Sequence, residues 1–199
     1  MLIRVSPVNI ESALDDAVRI LRQGGIIAYP TETFYGLGAK YDVEPALQRL
    51  CDIKKRPGKM AMPVIIGDLE QLELLTERIP DKAGALISKF WPGPLTLLFE
   101  ARSRLSDFIV AEHKVAVRMP GESFALRLAR ASGFPVTATS ANISGMPPGE
   151  NIQMVMNYFN DALELIVDGG ELKSLLPSTI VDATGPELKI LRQGLVDIW

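Results

Sequence analysis

The 199-residue sequence is poor in residue types on which several common chemistries depend. Its single cysteine, Cys51, excludes an intrachain disulfide, and its single histidine, His113, leaves no histidine and cysteine cluster for a zinc site. A serine-type catalytic triad would have to use His113, which no nucleophile-elbow sequence accompanies. The helical spacing of Cys51 from Leu47 and Leu50 predicts a buried and inert thiol.

Charge and hydropathy narrow the class of protein further. The net charge of -3 argues against bulk, nonspecific nucleic-acid binding, although a local basic patch stays compatible with it. No apolar run approaches the roughly 20 residues that a membrane span needs. The N-terminal residues lack the basic start and long apolar core of a signal peptide, so we expect a cytoplasmic enzyme with no membrane contact.

Strand-like apolar runs alternate with stretches of helical period along the whole chain. Asn9 is expected to cap a helix that ends at Arg22, and a strand over residues 26–29 is halted by Pro30. The same alternation predicts helices that open near Pro45, Glu122 and Ile152, two helices capped by Asp68 and Asp81, and strands at residues 2–5, 62–66, 95–100, 114–118, 136–139, 165–168, 179–182 and 188–191. It indicates an α/β fold with flanking helices, in a single domain over residues 1–199. The late strands follow one another closely, without full helices between them, which predicts some antiparallel pairing and hence a mixed sheet.

The segment Tyr29-Pro-Thr-Glu-Thr-Phe-Tyr-Gly-Leu-Gly38 does not follow this alternation. It could be a plain turn in which Gly36 and Gly38 adopt unusual dihedral angles. It could equally be a ligand loop at the end of a strand, where open α/β sheets place their sites. It matches neither the phosphate-loop nor the dinucleotide-binding glycine pattern.

Two further segments carry more polar groups than local structure requires. Lys54-Lys-Arg-Pro57 places cations just beyond a predicted helix, where they could serve the helix dipole or bind phosphate oxygens. Val136-Thr-Ala-Thr-Ser-Ala-Asn-Ile-Ser-Gly145 crowds hydroxyl and amide groups at the end of a strand, although a capping turn would need only one. Arg118, Ser178 and Arg192 lie at the ends of apolar strands, which favours a shared polar cleft.

These segments and their order resemble those of the YrdC/Sua5 family of threonylcarbamoyl-AMP synthases. The family motifs P-T-E-T-x-Y-G-L-G, KxR and SxN correspond to Pro30 to Gly38, Lys54 to Arg56 and Ser140 to Asn142. Three shorter motifs, A-V-R, P-S-T-I-V-D and R-Q-G, end at Arg118, Asp182 and Gly194. The resemblance covers nearly the whole chain and fits the short, single-domain bacterial type.

The resemblance implies an open twisted mixed sheet with flanking helices and a large concave cleft, a YrdC/RibB-like fold. It also implies condensation of L-threonine, bicarbonate and ATP for tRNA t6A37 modification, with Mg²⁺ accompanying the ATP. Thr33, Arg118 and Ser178 match residues expected near threonine, and Arg56, Ser140 and Arg192 match residues expected near ATP. We expect Lys54, Arg56, Ser140 and Asn142 to be the catalytic residues, with no metal held by protein side chains.

The resemblance also implies partners and one departure. A downstream threonylcarbamoyl transferase complex would receive the product, and direct binding of tRNA or RNA is left open. Ile65 stands about where longer relatives often carry a histidine, so one threonine contact differs from the family pattern.

Two other functions compete with this interpretation. The basic cleft could hold structured RNA, although the aromatic content is only 7% and no RRM-like stacking motif is present. A carbamoyl-phosphate-dependent carbamoyltransferase is the second alternative, because YrdC-like domains occur in such enzymes. The acylphosphatase and zinc-finger modules of those enzymes have no counterpart in this sequence.

Overall fold

The computed structural model describes residues 1–55, 60–172 and 176–199. Within these ranges the helices are Ile10–Arg22 (α1), Glu44–Ile53 (α2), Leu69–Glu73 (α3), Asp81–Phe90 (α4), Phe124–Ser132 (α5) and Ile152–Phe159 (α6), followed by a 3₁₀ turn at Asn160–Ala162. The strands are Leu2–Arg4 (β1), Ile27–Pro30 (β2), Tyr35–Gly38 (β3), Val64–Ile65 (β4), Leu95–Glu100 (β5), Val110–Ala111 (β6), Lys114–Arg118 (β7), Val136–Thr137 (β8), Thr139–Ser140 (β9), Leu165–Asp168 (β10), Thr179–Asp182 (β11) and Lys189–Arg192 (β12). None of the helices in the described ranges is both long enough and apolar enough to cross a membrane.

The strands form two mixed sheets, which confirms the predicted α/β class with flanking helices. The smaller sheet has the order β1-β10-β2-β3-β9, and the larger has the order β12-β11-β5-β7-β4-β8, with β6 paired to β7. The late strands β11 and β12 pair in antiparallel fashion, as their close spacing predicted. The sheets meet where the Thr137 backbone N–H donates to the Ala39 carbonyl over 2.9 Å, and the Ala39 N–H donates to the Thr137 hydroxyl over 2.8 Å.

The larger sheet gives one face to the core and the other to a cleft. Successive side chains of a strand point to opposite faces. On β5, Leu95, Leu97 and Phe99 are fully buried in the main core, whereas the alternate residues Thr96 and Leu98 line the cleft. The same alternation on β7 buries Val115 and Val117 and turns Ala116 and Arg118 to the cleft.

The helix starts agree with the sequence in part. The Asp68 side chain caps α3 by accepting from the Gln71 backbone N–H over 2.9 Å, as predicted. Asn9 occupies the cap position of α1, but its side-chain oxygen accepts from Ser6 instead, so the predicted side-chain cap is wrong. The predicted cap at Asp81 is also wrong, because α4 is preceded by the cap residue Pro80 and Asp81 is its first helical residue.

The segment from Pro30 to Gly38 is only partly a loop. Residues 35–38 form β3, antiparallel to β2, and neither Gly36 nor Gly38 has a positive φ. A Cβ atom at Gly38 would lie 2.7 Å from the Tyr29 ring. The turn alternative, with unusual glycine dihedral angles, is therefore wrong: Gly38 is required because the buried Tyr29 ring packs directly against the backbone.

Candidate active site

A cleft of about 960 Å³ lies on the exposed face of the larger sheet and reaches the edge of the smaller one. It brings together six of the predicted site residues, namely Thr33, Arg118, Ser140, Asn142, Ser178 and Arg192. Lys54 lies beneath one wall and is not part of the lining. Arg56 lies outside the described residues.

Arg118 ends β7 and is nearly buried, with one edge of its guanidinium occupied by protein groups. Its Nη1 donates to Oε1 of Glu32 over 3.0 Å and to the Thr33 hydroxyl over 3.4 Å. Its Nε and Nη2 make no hydrogen bond to any side chain or backbone group that the structure describes. The planar fork of an arginine can bind a carboxylate through two parallel N–H groups, so the remaining edge suits such a ligand.

Thr33 is oriented by a short chain of hydroxyl groups. The Thr31 hydroxyl donates to the Phe34 carbonyl over 2.7 Å, so its single proton is used there. The Thr33 hydroxyl, 3.0 Å from the Thr31 oxygen, must therefore be the donor between the two. Since it also accepts from Arg118, Thr33 keeps one lone pair for a ligand that donates.

Arg192 supplies a second guanidinium at the other side of the sheet. Its Nε and Nη2 donate to the Ser178 carbonyl over 3.0 and 2.9 Å, and Nη2 also donates to the Ser178 hydroxyl over 3.0 Å. That hydroxyl lies 2.9 Å from the Thr96 hydroxyl. Burial lowers the pKa of Arg192, and the positive charge of Arg118 lowers it further. No carboxylate in the described ranges forms an ion pair with Arg192, so its charge is compensated only by neutral oxygens.

The Ser140 to Asn142 segment is tied to the end of α2 by Lys54. The Lys54 ammonium donates to the Ser140 carbonyl over 2.5 Å, the Asn142 carbonyl over 2.8 Å and the Asn142 side-chain oxygen over 3.3 Å. The Ser140 hydroxyl donates to the same side-chain oxygen over 2.6 Å, and the Ser144 N–H donates back to the Lys54 carbonyl over 2.9 Å. Because Lys54 is 3% exposed, this geometry favours a positioning role over direct contact with phosphate.

The far end of the cleft is apolar apart from one ion pair. Leu98, Ala116 and Ile180 form its floor, and the Lys114 ammonium lies 2.7 Å from Oδ2 of Asp182. Burial pushes the pKa of Asp182 upward, but hydrogen bonds from Lys114 and Thr184 outweigh it and lower the pKa to about 2. This end can therefore bury a flat, uncharged group while its charged pair stays internally compensated.

Sequence reasoning missed several residues that build the site. Glu32 and Thr31 lie inside the Pro30 to Gly38 motif, but the role of Glu32 depends on a contact 86 residues away and that of Thr31 on the local bend of the chain. Thr96 could have been found from period-two alternation, since it lies between the buried Leu95 and Leu97. In the ranges that the structure covers, no group of three or more His, Cys, Asp or Glu side chains is placed to hold a metal ion.

The sequence that forms this cleft matches a known protein family over most of its length. The Sua5/YciO/YrdC family model, described as telomere recombination, matches residues 19–194. The chain belongs to the Sua5/YciO/YrdC family. Its membership rests on most of the sequence rather than on one motif.

Several relatives of this Sua5/YciO/YrdC chain carry the name threonylcarbamoyl-AMP synthase. One from Pyrococcus abyssi is 40% identical over 179 residues, covering 89% of this chain and 53% of its own length. One from Bacillus subtilis is 38% identical and is covered over 52% of its length. One from Coxiella burnetii is 36% identical over 180 residues and is covered over 97%. The chain thus spans about half the length of the first two and nearly all of the third.

Solved structures of the Sua5/YciO/YrdC family share the fold. Pyrococcus abyssi Sua5 complexed with L-threonine matches with a TM-score of 0.92 and 37% identity, over 98% of this chain and 57% of that one. Escherichia coli YciO matches with a TM-score of 0.86 and 26% identity, over 100% and 96% of the two chains. A full-length HypF in a phosphate- and nucleotide-bound form is 17% identical with a TM-score of 0.79, which shows a common fold alone.

Proposed function

We propose that the protein is a cytoplasmic, single-domain L-threonylcarbamoyladenylate synthase over residues 1–199. It condenses L-threonine, bicarbonate or CO₂, and ATP to threonylcarbamoyl-AMP and pyrophosphate. The observation that carries the proposal is the pair of guanidinium groups on the cleft floor, Arg118 with one edge unoccupied and Arg192 without an acidic partner among the described residues. The relatives named threonylcarbamoyl-AMP synthase support it, as does the Pyrococcus abyssi Sua5 complex with L-threonine.

Threonine binds at the Arg118 end of the cleft. Its carboxylate takes the Nε and Nη2 edge of Arg118, where two parallel charge-assisted hydrogen bonds can form. The remaining lone pair of Thr33 accepts from the amine or the side-chain hydroxyl. Ser178, which immediately precedes β11, contacts the same ligand, because it lines the same cleft.

ATP binds toward Arg192 and the Ser140 to Asn142 segment. Arg192 contacts phosphate oxygens, and the apolar floor at Leu98 and Ile180 takes the base. The Ser140 hydroxyl donates to the Asn142 side-chain oxygen over 2.6 Å in the free protein and turns from it to donate to a phosphate oxygen when ATP binds. Mg²⁺ enters as part of the Mg-ATP substrate, held by phosphate oxygens and water, which is its usual mode at nucleotide sites. Arg56, outside the described residues, remains an expected contact of the triphosphate.

The reaction needs positioning and charge stabilisation rather than a side-chain nucleophile. Bicarbonate loses hydroxide to give CO₂, and the amine lone pair of threonine bonds to that carbon. The nitrogen then releases a proton to the hydroxide, which leaves a carbamate and water. A carbamate oxygen bonds to the α-phosphorus of ATP. At the same time the bond between the α-phosphorus and the oxygen that bridges to the β-phosphate breaks, and pyrophosphate leaves with that electron pair.

Positive charge in the cleft favours this last step. The developing charge lies on phosphate oxygens, and fixed cations in a partly dry site stabilise it more than water does. The product would serve tRNA t6A37 modification, with a downstream threonylcarbamoyl transferase complex as its acceptor. Direct binding of tRNA or RNA is not needed for the chemistry.

The test is an incubation of the purified protein with Mg-ATP, threonine and bicarbonate. We expect release of pyrophosphate and formation of a mixed anhydride, both detected by ³¹P NMR and mass spectrometry, and both dependent on all three substrates. Serine should replace threonine incompletely, because one methyl group is worth about 1–3 kcal/mol in discrimination. Pyrophosphate release that does not need threonine would refute the proposal.

The same assay separates the two competing functions. A carbamoyltransferase would consume carbamoyl phosphate and release inorganic phosphate, which we expect not to occur. An RNA-binding protein would bind a tRNA anticodon stem-loop without turning over ATP. Because an arginine fork binds phosphate as well as carboxylate, the assay rather than the unoccupied Arg118 edge separates these functions.

A further inference from the structure

Glu32 is the one carboxylate that contacts Arg118 within the described ranges, and it is partly buried, yet it does not line the cleft. Its neighbours Thr31 and Thr33 both line the cleft, whereas Glu32 contacts Nη1 of Arg118 without being a lining residue. A Cβ atom at Gly121 would lie 3.5 Å from the Glu32 Cγ, so the glutamate stem packs against the chain that follows β7. Its side chain is 16% exposed.

The two oxygens of Glu32 are in different situations. Oε1 accepts from Nη1 of Arg118 over 3.0 Å. Oε2 is buried and has no hydrogen-bond partner among the described residues. An unpaired buried carboxylate oxygen is costly, and structures retain such groups where another function requires them. Arginine–carboxylate pairs are frequently bidentate, whereas Glu32 pairs with Arg118 through one oxygen only.

The single contact through Nη1 has a geometric consequence. A bidentate pair with Glu32 would occupy two nitrogens of Arg118, whereas the observed pair leaves Nη2 and Nε without protein partners in the described structure. The guanidinium is planar, so the contact of Nη1 with Glu32 also restrains the plane and the direction of the other two nitrogens. The same single contact therefore leaves Oε2 of Glu32 unpaired and leaves the Nε and Nη2 edge of Arg118 unoccupied.

We propose that Glu32 is a positioning residue of the threonine site, holding Arg118 so that its Nε and Nη2 edge faces the cleft. This inference rests on the proposed function and deepens it, because it assigns to Glu32 the orientation of the edge that receives the carboxylate of the amino acid. Glu32 itself does not touch the substrate. Its acceptor oxygen, rather than its charge, is what the site uses.

The test compares Glu32→Ala with Glu32→Gln, because glutamine keeps an oxygen that can accept from Nη1. The matched control is Glu122→Ala, an exposed glutamate four residues beyond Arg118. Threonine binding is measured by calorimetry, and the KM values for threonine and ATP are measured separately. We expect Glu32→Ala to weaken threonine binding about tenfold or more, since a misplaced binding group costs that order of affinity. Glu32→Gln should stay within about threefold, and the KM for ATP should not change in either variant.

A second measurement needs no ligand. The NMR signal of the Arg118 Nε–H group reports the order of the guanidinium in the free protein. It should show a rigid group in the wild type and in Glu122→Ala, a mobile group in Glu32→Ala, and an intermediate one in Glu32→Gln. Thermal unfolding of each variant verifies that it is folded.

These outcomes are distinct from a failure of the proposed function. If the wild type releases no pyrophosphate, the proposed reaction fails, while the order of Arg118 in the Glu32 variants still decides the role of Glu32. The positioning role is overturned if Arg118 stays as rigid in Glu32→Ala as in the wild type. It is equally overturned if Arg118 becomes mobile while threonine affinity is unchanged, or if Glu32→Gln binds threonine as weakly as Glu32→Ala.

Discussion

Replacing Lys54 with methionine removes the buried ammonium that ties the Ser140 to Asn142 segment to α2, while keeping most of the apolar stem. Two backbone carbonyls, at 2.5 and 2.8 Å from the ammonium, lose their charged donor. Hydrogen bonds to charged groups contribute about 1.5–3 kcal/mol each. Relief of the cost of burying the ammonium offsets part of this loss, so we expect the free energy of unfolding to fall by about 3 kcal/mol.

For a chain of this size, that loss corresponds to a decrease in Tm of about 6–12 °C. The assay is thermal and urea unfolding of Lys54→Met beside Lys55→Met, whose side chain is exposed and which should unfold like the wild type. The KM for ATP should rise as well, because Ser140 loses its support. The reasoning is refuted if Lys54→Met keeps wild-type stability and loses only ATP binding, since Lys54 would then act on the triphosphate directly.

Three other predictions test separate parts of the structure. Arg118→Ala should weaken threonine binding by about 2–5 kcal/mol in calorimetry, because a buried carboxylate loses its partner; unchanged affinity would contradict the assigned subsite. Gly38→Ala should lower the free energy of unfolding by about 1–3 kcal/mol, since its Cβ would lie 2.7 Å from the Tyr29 ring, and wild-type stability would show that the ring can move. The pKa of Asp182 is lowered to about 2, so its pairing with Lys114 stabilises the fold above the unfolded-state pKa and is lost as the pH falls toward 2. Lys114→Met should therefore reduce stability at neutral pH and flatten its dependence between about pH 4 and 2 in urea titrations; an unchanged profile would count against the pair.

Period-two and helical patterns predicted much of the fold, because burial follows them directly. The strands over β5, β7, β10 and β11 agree with their apolar runs, and the Asp68 cap has the expected local bond. The strand β3 was missed because its glycines are typical of turns. Only packing against Tyr29, brought together by strand pairing, explains why they stand in a strand.

Most residues of the site could be predicted from the sequence, but their hydrogen-bond partners could not. The sequence indicated that Arg118, Ser178 and Arg192 lie at strand ends, and they do share one cleft. It could not indicate that Lys54 is buried under a loop, because a lysine next to a helix end has the same local pattern when solvated. Glu32 was hidden for a similar reason: its partner is 86 residues away in the chain.

The alternation of β5 and β7 makes the cleft and the hydrophobic core two sides of one sheet. A partly buried cleft residue such as Leu98 can change its chemistry with little effect on the core, whereas a change at its neighbour Leu97 disturbs the core first. Substrate preference in this scaffold can therefore be altered at every second position along the strands, while the intervening positions preserve the shape of the surface being altered. A single substitution on the cleft face can therefore change which ligand binds, while the core-facing residues keep the strands in the same positions.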